Sequence, residues 1–198
     1  MIRLYGTVND SIVDGPGLRY VVFTQGCPHH CKGCHNPNSH DLLGGYLVDM
    51  KDLLLEIDKN SLLDGITISG GEPFIQAKNL ISFIKEIKKR HLHIMIYSGY
   101  TFEEIMSLGK DERELLSLCD TLVDGRFIQS QRSLSLRYKG SLNQRIINEK
   151  EFNKAVQHLK DIGYSKISAQ LFDGMRHEIL NEKNKHLVYQ YILKKLRF

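Results

Sequence analysis

Three cysteines stand within a span of eight residues, and no other feature of this chain constrains it as strongly. Cys27, Cys31 and Cys34 follow the pattern C-x3-C-x2-C. They come directly after an apolar, β-rich run at 18–24, which predicts a buried strand. The segment 27–38 is rich in Cys, His, Pro, Gly and Asn and therefore predicts a loop. Because thiolates are soft ligands that suit zinc or iron–sulfur clusters, this loop is a candidate metal site.

The number of cysteines leaves two kinds of metal centre open. Structural zinc takes four protein ligands, so zinc would need one of His29, His30 and His35 beside the three thiols. A four-iron cluster held by three thiols would instead keep one iron open for a substrate or cofactor. The fourth cysteine, Cys119, lies far along the chain. We expect it to be a small buried residue rather than a ligand.

Composition favours a single soluble domain that stays in the cytoplasm. The 198 residues are 41% hydrophobic and 25% charged, which suits a globular chain with a sizeable core. The net charge of +4 is too small to require nucleic acid as a partner. No membrane partner is expected either, because the chain lacks a run of about eighteen apolar residues and its N-terminal sequence lacks the apolar stretch of a secretory signal. In the cytoplasm the cysteines are expected to be thiols or metal ligands rather than disulfides.

Strands alternate with helices along the chain and predict an α/β fold. Strands are expected at 18–24, 65–69, 92–97 and 121–123. Helices are expected at 47–57, through the apolar stripe Leu80, Phe83, Ile84 and Ile87, and from a capping box at Thr101 and Glu104. This order implies parallel strands with right-handed crossovers, whose carboxyl ends share one rim. A complete eight-unit βα barrel takes about 250 residues, so we expect a partial, open barrel.

The end of the chain differs in character from the rest. It contains two helical patterns, at about 151–161 and 185–196. We therefore predict that 149–198 is a helical C-terminal extension packed on the domain formed by 1–148. The extension either closes the barrel by packing or docks a partner, and the sequence leaves both roles open.

The cysteine loop also carries a family resemblance. The stretch VDGPGLRYVVFTQGCPHHCKGCHNPNSH resembles the cluster-binding region of the radical S-adenosylmethionine (SAM) activating enzymes. The resemblance implies a partial barrel of the radical SAM type, with 1–148 as the activase domain. It implies a 4Fe–4S cluster bound by Cys27, Cys31 and Cys34, with SAM chelating the open iron and yielding a radical that abstracts hydrogen from a glycine of a partner protein. No side chain is expected to be catalytic, because the cluster and SAM carry the chemistry.

A second motif would contact SAM. Gly70, Gly71 and Glu72 are similar to the family's Gly-Gly-Glu segment, which hydrogen-bonds the amino group of SAM. The physical chemistry agrees with this role. Glycines permit a close approach of the backbone to a ligand, and a carboxylate is a suitable acceptor for an ammonium group.

The contact to adenine departs from the family pattern. Many radical SAM proteins have an aromatic residue just before the last cysteine, where this chain has Gly33. The resemblance therefore implies that the backbone of Gly33, Cys34 and His35, together with the His35 ring, contacts adenine. Two alternatives for His35 stay open: a hydrogen bond to a cluster sulfur, and a purely structural role.

Three later stretches narrow the resemblance to the activators of anaerobic ribonucleoside-triphosphate reductase. They are YSGYTFEE at 97–104, LVDGRF at 122–127 and, above all, LSLRYKGSLNQR at 134–145. The implied partner is the large subunit of that reductase, with a low-potential electron donor such as flavodoxin. The alternatives are an activator of another glycyl-radical enzyme, such as pyruvate formate-lyase, and a small zinc-binding interaction module.

The same stretches contain four polar residues that are candidates for partner docking or SAM binding. Arg137, Asn143 and Arg145 are predicted to lie near the surface that docks the partner, because they belong to the stretch with the strongest resemblance. Asp124 follows a predicted strand and either binds the ribose of SAM or caps a turn.

Overall fold

A seven-stranded mixed sheet forms the centre of the molecule. The computed structural model describes residues 1–148. The strands are β1 (Ile2–Ser11), β2 (Arg19–Thr24), β3 (Tyr46–Val48), β4 (Gly65–Gly70), β5 (His93–Tyr97), β6 (Thr121–Asp124) and β7 (Arg145–Asn148). Their order across the sheet is β3-β1-β2-β4-β5-β6-β7. The predicted helical extension at 149–198 lies outside the described residues and stays a prediction.

The four central strands, β2, β4, β5 and β6, are parallel, as the sequence predicted. The strands at the edges were not predicted from the sequence: β1 and β3 on one side and β7 on the other pair in antiparallel fashion. The link at 12–18 between β1 and β2 is too short for a crossover between parallel strands. Among residues 1–148, β3 and β7 end the sheet as separate edges, so it is open. The α/β class is confirmed, whereas a barrel-like curvature stays a prediction.

Helices follow the strands of this sheet. In the described part of the chain they are α1 (Met50–Asp58), α2 (Ala77–Lys89), α3 (Phe102–Ser107) and α4 (Lys110–Leu118). α2 contacts both α1 and α4, so these helices form one layer. This arrangement follows from the topology, because right-handed crossovers that step in one direction across a sheet leave their helices on one face. None of the helices within residues 1–148 is long and apolar enough to cross a membrane.

The core lies between this helix layer and one face of the sheet. The strand residues buried there alternate along their strands and are Ile2, Leu4, Tyr20, Val22, Ile66, Ile68, Ile94, Ile96 and Leu122. The apolar stripe predicted for α2 is fully buried and consists of Leu80, Phe83, Ile84 and Ile87. Burial of one such side chain contributes about 1.5–3 kcal/mol. This packing fixes the strands, and with them the loops at their carboxyl ends.

Capping side chains decide where two of the helices begin. The helix predicted at 47–57 begins later, because Tyr46–Val48 pairs with β1 and the Asp49 carboxylate accepts from the Lys51 N–H at 2.9 Å. The capping box predicted for α3 is confirmed. The Thr101 hydroxyl accepts from the Glu104 N–H at 3.2 Å, and the Glu104 carboxylate accepts from the Thr101 N–H at 2.8 Å.

Candidate functional site

The loops that follow the parallel strands meet at one edge of the sheet, as the sequence predicted. After β4, the Gly71 N–H donates to the Thr24 carbonyl at 2.8 Å, and the Glu72 N–H donates to the Gly26 carbonyl at 2.7 Å. A Cβ at Gly71 would lie only 2.3 Å from the Gly26 carbonyl oxygen. Glycine is therefore required where the β4 loop crosses the start of the cysteine loop.

Backbone hydrogen bonds fold the cysteine loop back on itself. The Gly26 N–H donates to the Ser39 carbonyl at 2.8 Å, and the Cys27 N–H donates to the His40 carbonyl at 3.1 Å. A short 3-10 helix, Pro37–Ser39, makes the return. The predicted loop is thus confirmed, and its two ends are held side by side.

Backbone groups lie beside all three predicted cluster ligands. The Asn36 N–H donates to the Cys34 thiol with an N–S distance of 3.4 Å, and the backbones of His29 and Phe127 lie close enough to Cys27 and Cys31 to act against the rise in their pKa. Burial raises the pKa of the Cys27 thiol to about 11, and burial also raises the pKa of Cys31. Such thiols are protonated at neutral pH and give up their protons when they bind metal.

The segment after β6 lies against the last part of the cysteine loop. Gly33 has a φ of +74°, and an added Cβ there would lie 3.1 Å from the Gln129 Cδ. Both facts explain why a glycine stands at the position where the resembled family often has an aromatic residue. The exposed His35 ring packs on Phe127, with ring centroids 5.1 Å apart.

The Glu72 carboxylate is 0% exposed and receives four hydrogen bonds from the protein. Oε1 accepts from the Phe74 N–H at 3.1 Å and the Ser98 hydroxyl at 2.9 Å, and Oε2 accepts from the Gly99 N–H at 2.7 Å and His29 Nε2 at 2.8 Å. Glu72 thus joins the loops after β2, β4 and β5. Its predicted contact with the amino group of SAM stays a prediction, and it requires one of these donors to yield its place.

A second buried carboxylate, Asp124, ends β6 and is paired with Arg145 of β7. Arg145 Nε donates to Asp124 Oδ1 at 2.9 Å, and Nη2 donates to Oδ2. The same guanidinium makes two bonds to Glu103, at 2.9 and 2.7 Å. Asp124 also accepts from the Phe102 N–H at 2.7 Å. Arg145, which the sequence placed near the docking surface, therefore ties β7, β6 and α3 together, and the capping alternative for Asp124 is the one that these bonds support.

Because of this ion network, the stability of the fold should depend on pH through the ionisation of Glu103. Burial alone would raise the pKa of Glu103, but the Arg145 hydrogen bonds and charge outweigh it and lower the pKa from 4.5 to about 2. The ionised form therefore stabilises the fold above about pH 4.5, and this contribution is lost as the pH falls toward 2. We expect Glu103→Gln to lower the free energy of unfolding more at pH 7 than at pH 3, as measured by urea denaturation. An equal loss at both pH values would contradict this linkage.

Comparison with known proteins gives the family. Residues 13–147 match the 4Fe–4S single cluster domain. The anaerobic ribonucleoside-triphosphate reductase-activating protein of Haemophilus influenzae is 36% identical over 143 residues, which are 67% of this chain and 89% of that protein. The chain belongs to this family of activating proteins. Its members from Vibrio cholerae and Enterobacteria phage T4 are 35% and 34% identical, over 67% and 68% of this chain and 89% and 86% of their own.

A 4Fe–4S centre is thus a property of the activating-protein domain, and the residues described above fit it. Three thiols share one loop and lie near enough for their charges to interact, and one of them, Cys34, accepts the Asn36 N–H. Within residues 1–148, no three His, Cys, Asp or Glu side chains are placed so as to hold a single metal ion. A solved structure, QueE from Escherichia coli, is 18% identical with a TM-score of 0.41 over 50% of this chain and 53% of its own, a likeness too limited to describe the fold.

The sequence predicted that these loops lie at one edge of the sheet, but three contacts between them were not predicted. It did not pair His29 with Glu72, did not connect Phe127 with Cys31, and did not find Ser98 as a donor to the buried carboxylate. The only signal for these residues was their position directly after a strand or within the cysteine loop. Side-chain partners so far apart in sequence are fixed by packing alone.

Proposed function

We propose that the chain uses a 4Fe–4S cluster and SAM to place a glycyl radical on the large subunit of anaerobic ribonucleoside-triphosphate reductase. The observation that carries the proposal is the match to reductase-activating proteins over 89% of their length. When bound, the cluster would supply the electron that breaks a carbon–sulfur bond of SAM, and the radical so formed would take hydrogen from glycine.

The cysteine loop would hold the cluster through Cys27, Cys31 and Cys34, which leaves one iron for SAM. The Asn36 N–H on Cys34, and the backbone groups of His29 and Phe127 beside Cys27 and Cys31, favour the thiolate form of these ligands. Burial raises the pKa of Cys31, and the charge of Arg126 acts against this rise. Hydrogen bonds and charge around the sulfurs of an iron–sulfur cluster set its reduction potential, so we expect these neighbours to tune the cluster.

Six residues at the rim are proposed to contact SAM: Gly33, Cys34, His35, Gly70, Gly71 and Glu72. The support is their position, because the β4 loop and the cysteine loop are hydrogen-bonded to each other at this point. Gly33 and His35 are exposed and accessible to a ligand. The His35 ring packs on Phe127 and presents a flat apolar face on which adenine can stack.

A protein substrate needs room at the rim, and we propose that the open sheet curves as a partial barrel that leaves this room. The stretch at 134–137 is a candidate docking surface. Leu134 is 90% exposed and Arg137 is exposed as well. Exposed apolar and arginine side chains together suit a protein interface.

The proposed location is the cytoplasm, with a low-potential donor such as flavodoxin as the source of electrons.

The test is anaerobic incubation of the iron-loaded protein with SAM, a chemical reductant and a purified partner, followed by electron paramagnetic resonance. We expect a glycyl radical on the large subunit of anaerobic ribonucleoside-triphosphate reductase and none on pyruvate formate-lyase. A radical on pyruvate formate-lyase alone would contradict the target and leave the chemistry intact. Colourless protein that contains one zinc and no sulfide would contradict the chemistry itself.

A further inference from the structure

We infer that His29 is a positioning residue that holds the cysteine loop in register with the SAM site, an inference that rests on the proposed function. His29 stands two residues after Cys27 in the cysteine loop, and its backbone lies close enough to the Cys27 thiol to act against the rise in its pKa. Its ring Nε2 lies 2.8 Å from Glu72 Oε2. A single residue thereby joins a proposed cluster ligand to the Gly-Gly-Glu segment.

The bond to Glu72 has a defined direction. An ionised carboxylate only accepts hydrogen bonds, so the His29 nitrogen that faces it carries the hydrogen. The carboxylate is completely buried. Loss of this donor would leave a buried anion short of one partner, which is costly compared with the loss of a surface hydrogen bond.

The His29 ring is also fixed by its neighbours. Its side chain is only 4% exposed. A Cβ added to Gly99 would lie 2.2 Å from the His29 Cδ2, so the ring rests directly on the backbone after β5. The Tyr100 ring meets it edge-on, with centroids 4.5 Å apart. Contacts with the β5 loop therefore help to hold the ring beside Glu72.

This arrangement makes Glu72 the point at which three neighbouring loops are tied together. His29 connects the cysteine loop to Glu72 by a hydrogen bond, and Ser98 and Gly99 connect the β5 loop to it in the same way. In the proposed function SAM contacts both the cysteine loop and the β4 segment. A ligand that spans two loops binds more tightly when the loops are held in the bound geometry beforehand. His29 would thus raise SAM affinity through Glu72 rather than by touching SAM.

The experiment compares four variants of the full chain after anaerobic reconstitution. His29→Ala removes the tie. His29→Gln restores a donor, since its amide nitrogen reaches about the position of Nε2. Gly99→Ala leaves every polar group in place but pushes the ring away. His30→Asn is the matched control, because His30 is an exposed neighbour at φ +45°, a conformation that asparagine tolerates.

Three quantities are measured: iron and sulfide per chain, the dissociation constant for SAM, and the change that SAM causes in the electron paramagnetic resonance spectrum of the reduced cluster. We expect His29→Ala and Gly99→Ala to keep their iron but to bind SAM about tenfold more weakly, or about 1.4 kcal/mol. The spectral change should need correspondingly more SAM. His29→Gln should stay within about threefold of the unaltered protein, as should His30→Asn.

Three results would overturn the inference. In the first, His29→Ala binds SAM as tightly as His30→Asn does. In the second, His29→Gln binds SAM as weakly as His29→Ala, which would show that the hydrogen bond to Glu72 is not the cause of the lost affinity. The third is loss of iron from both His29 variants, which would make the imidazole a metal ligand. If His29→Ala does not fold, Gly99→Ala and His29→Gln decide the matter. Failure of the proposed function is separate, since the unaltered protein would then hold no cluster or show no response to SAM.

Discussion

Cys31→Ala is expected to hold little or no iron–sulfur cluster and to cleave no SAM. Three thiols are the smallest set that can hold a four-iron cluster with one open iron, and residues 1–148 contain no further cysteine near this loop. Iron and acid-labile sulfide per chain, and the yield of methionine from SAM, measure the effect. Cys27→Ala and Cys34→Ala should behave in the same way.

Cys119→Ala is the matched control, because it removes a thiol that is buried away from the loop. The Cys119 Sγ donates to the Thr121 carbonyl at 2.9 Å, and burial raises the pKa of this thiol to about 12. The sequence-based expectation of a small buried residue is thereby confirmed. Full iron content is expected in Cys119→Ala. A full cluster in Cys31→Ala, or an empty site in Cys119→Ala, would contradict the ligand assignment.

The elements that were predicted correctly are those that local chemistry decides. An apolar stripe at helical spacing specified α2, and the Thr101 capping box specified the start of α3. The edge strands β1 and β7 were missed because their pairing is not local. β1 buries Ile2 and Leu4 but exposes Tyr5 and Val8, so its pattern is weak until β2 and β3 are placed beside it.

The same distinction applies to the site. The rule that ligands gather at the carboxyl ends of parallel strands was enough to bring the cysteine loop and Glu72 together. It could not show that the Glu72 carboxylate is already satisfied by protein donors, since His29 and Ser98 lie 43 and 26 residues away in sequence. Nor could it show that Arg145 bonds with Asp124, because that pair depends on the antiparallel register of β6 and β7.

Arg145→Ala is expected to lower the free energy of unfolding by at most about 3–5 kcal/mol, the usual cost of removing one partner from a fully buried ion pair, because Arg145 itself is 22% exposed. Asp124 is only 1% exposed, so its charge would remain in the fold with the Phe102 N–H as its other described partner. The bonds that join Glu103 of α3 to β7 would be lost at the same time. Urea denaturation of the metal-free protein measures the change.

The matched control is Arg90→Ala, which breaks an ion pair of similar geometry at the surface. Arg90 makes two bonds to Asp58, at 2.6 and 2.7 Å, but the two side chains are 28% and 48% exposed. Exposed pairs of this kind contribute only about 0.2–1 kcal/mol. If Arg145→Ala lowers the free energy of unfolding no more than Arg90→Ala does, burial does not strengthen the Asp124–Arg145 pair.

A double variant separates two contributions to the lost stability: the buried Asp124 charge that has no ion-pair partner, and the loss of the Arg145 contacts. Asp124→Asn keeps an oxygen that can accept from the Phe102 N–H but carries no charge. Combined with Arg145→Ala, it should recover part of the lost stability, since a neutral amide is less costly to bury alone than a carboxylate. A double variant as unstable as the sum of the two single changes would show that the charge is not the cause, and that Arg145 acts mainly through Glu103 and packing.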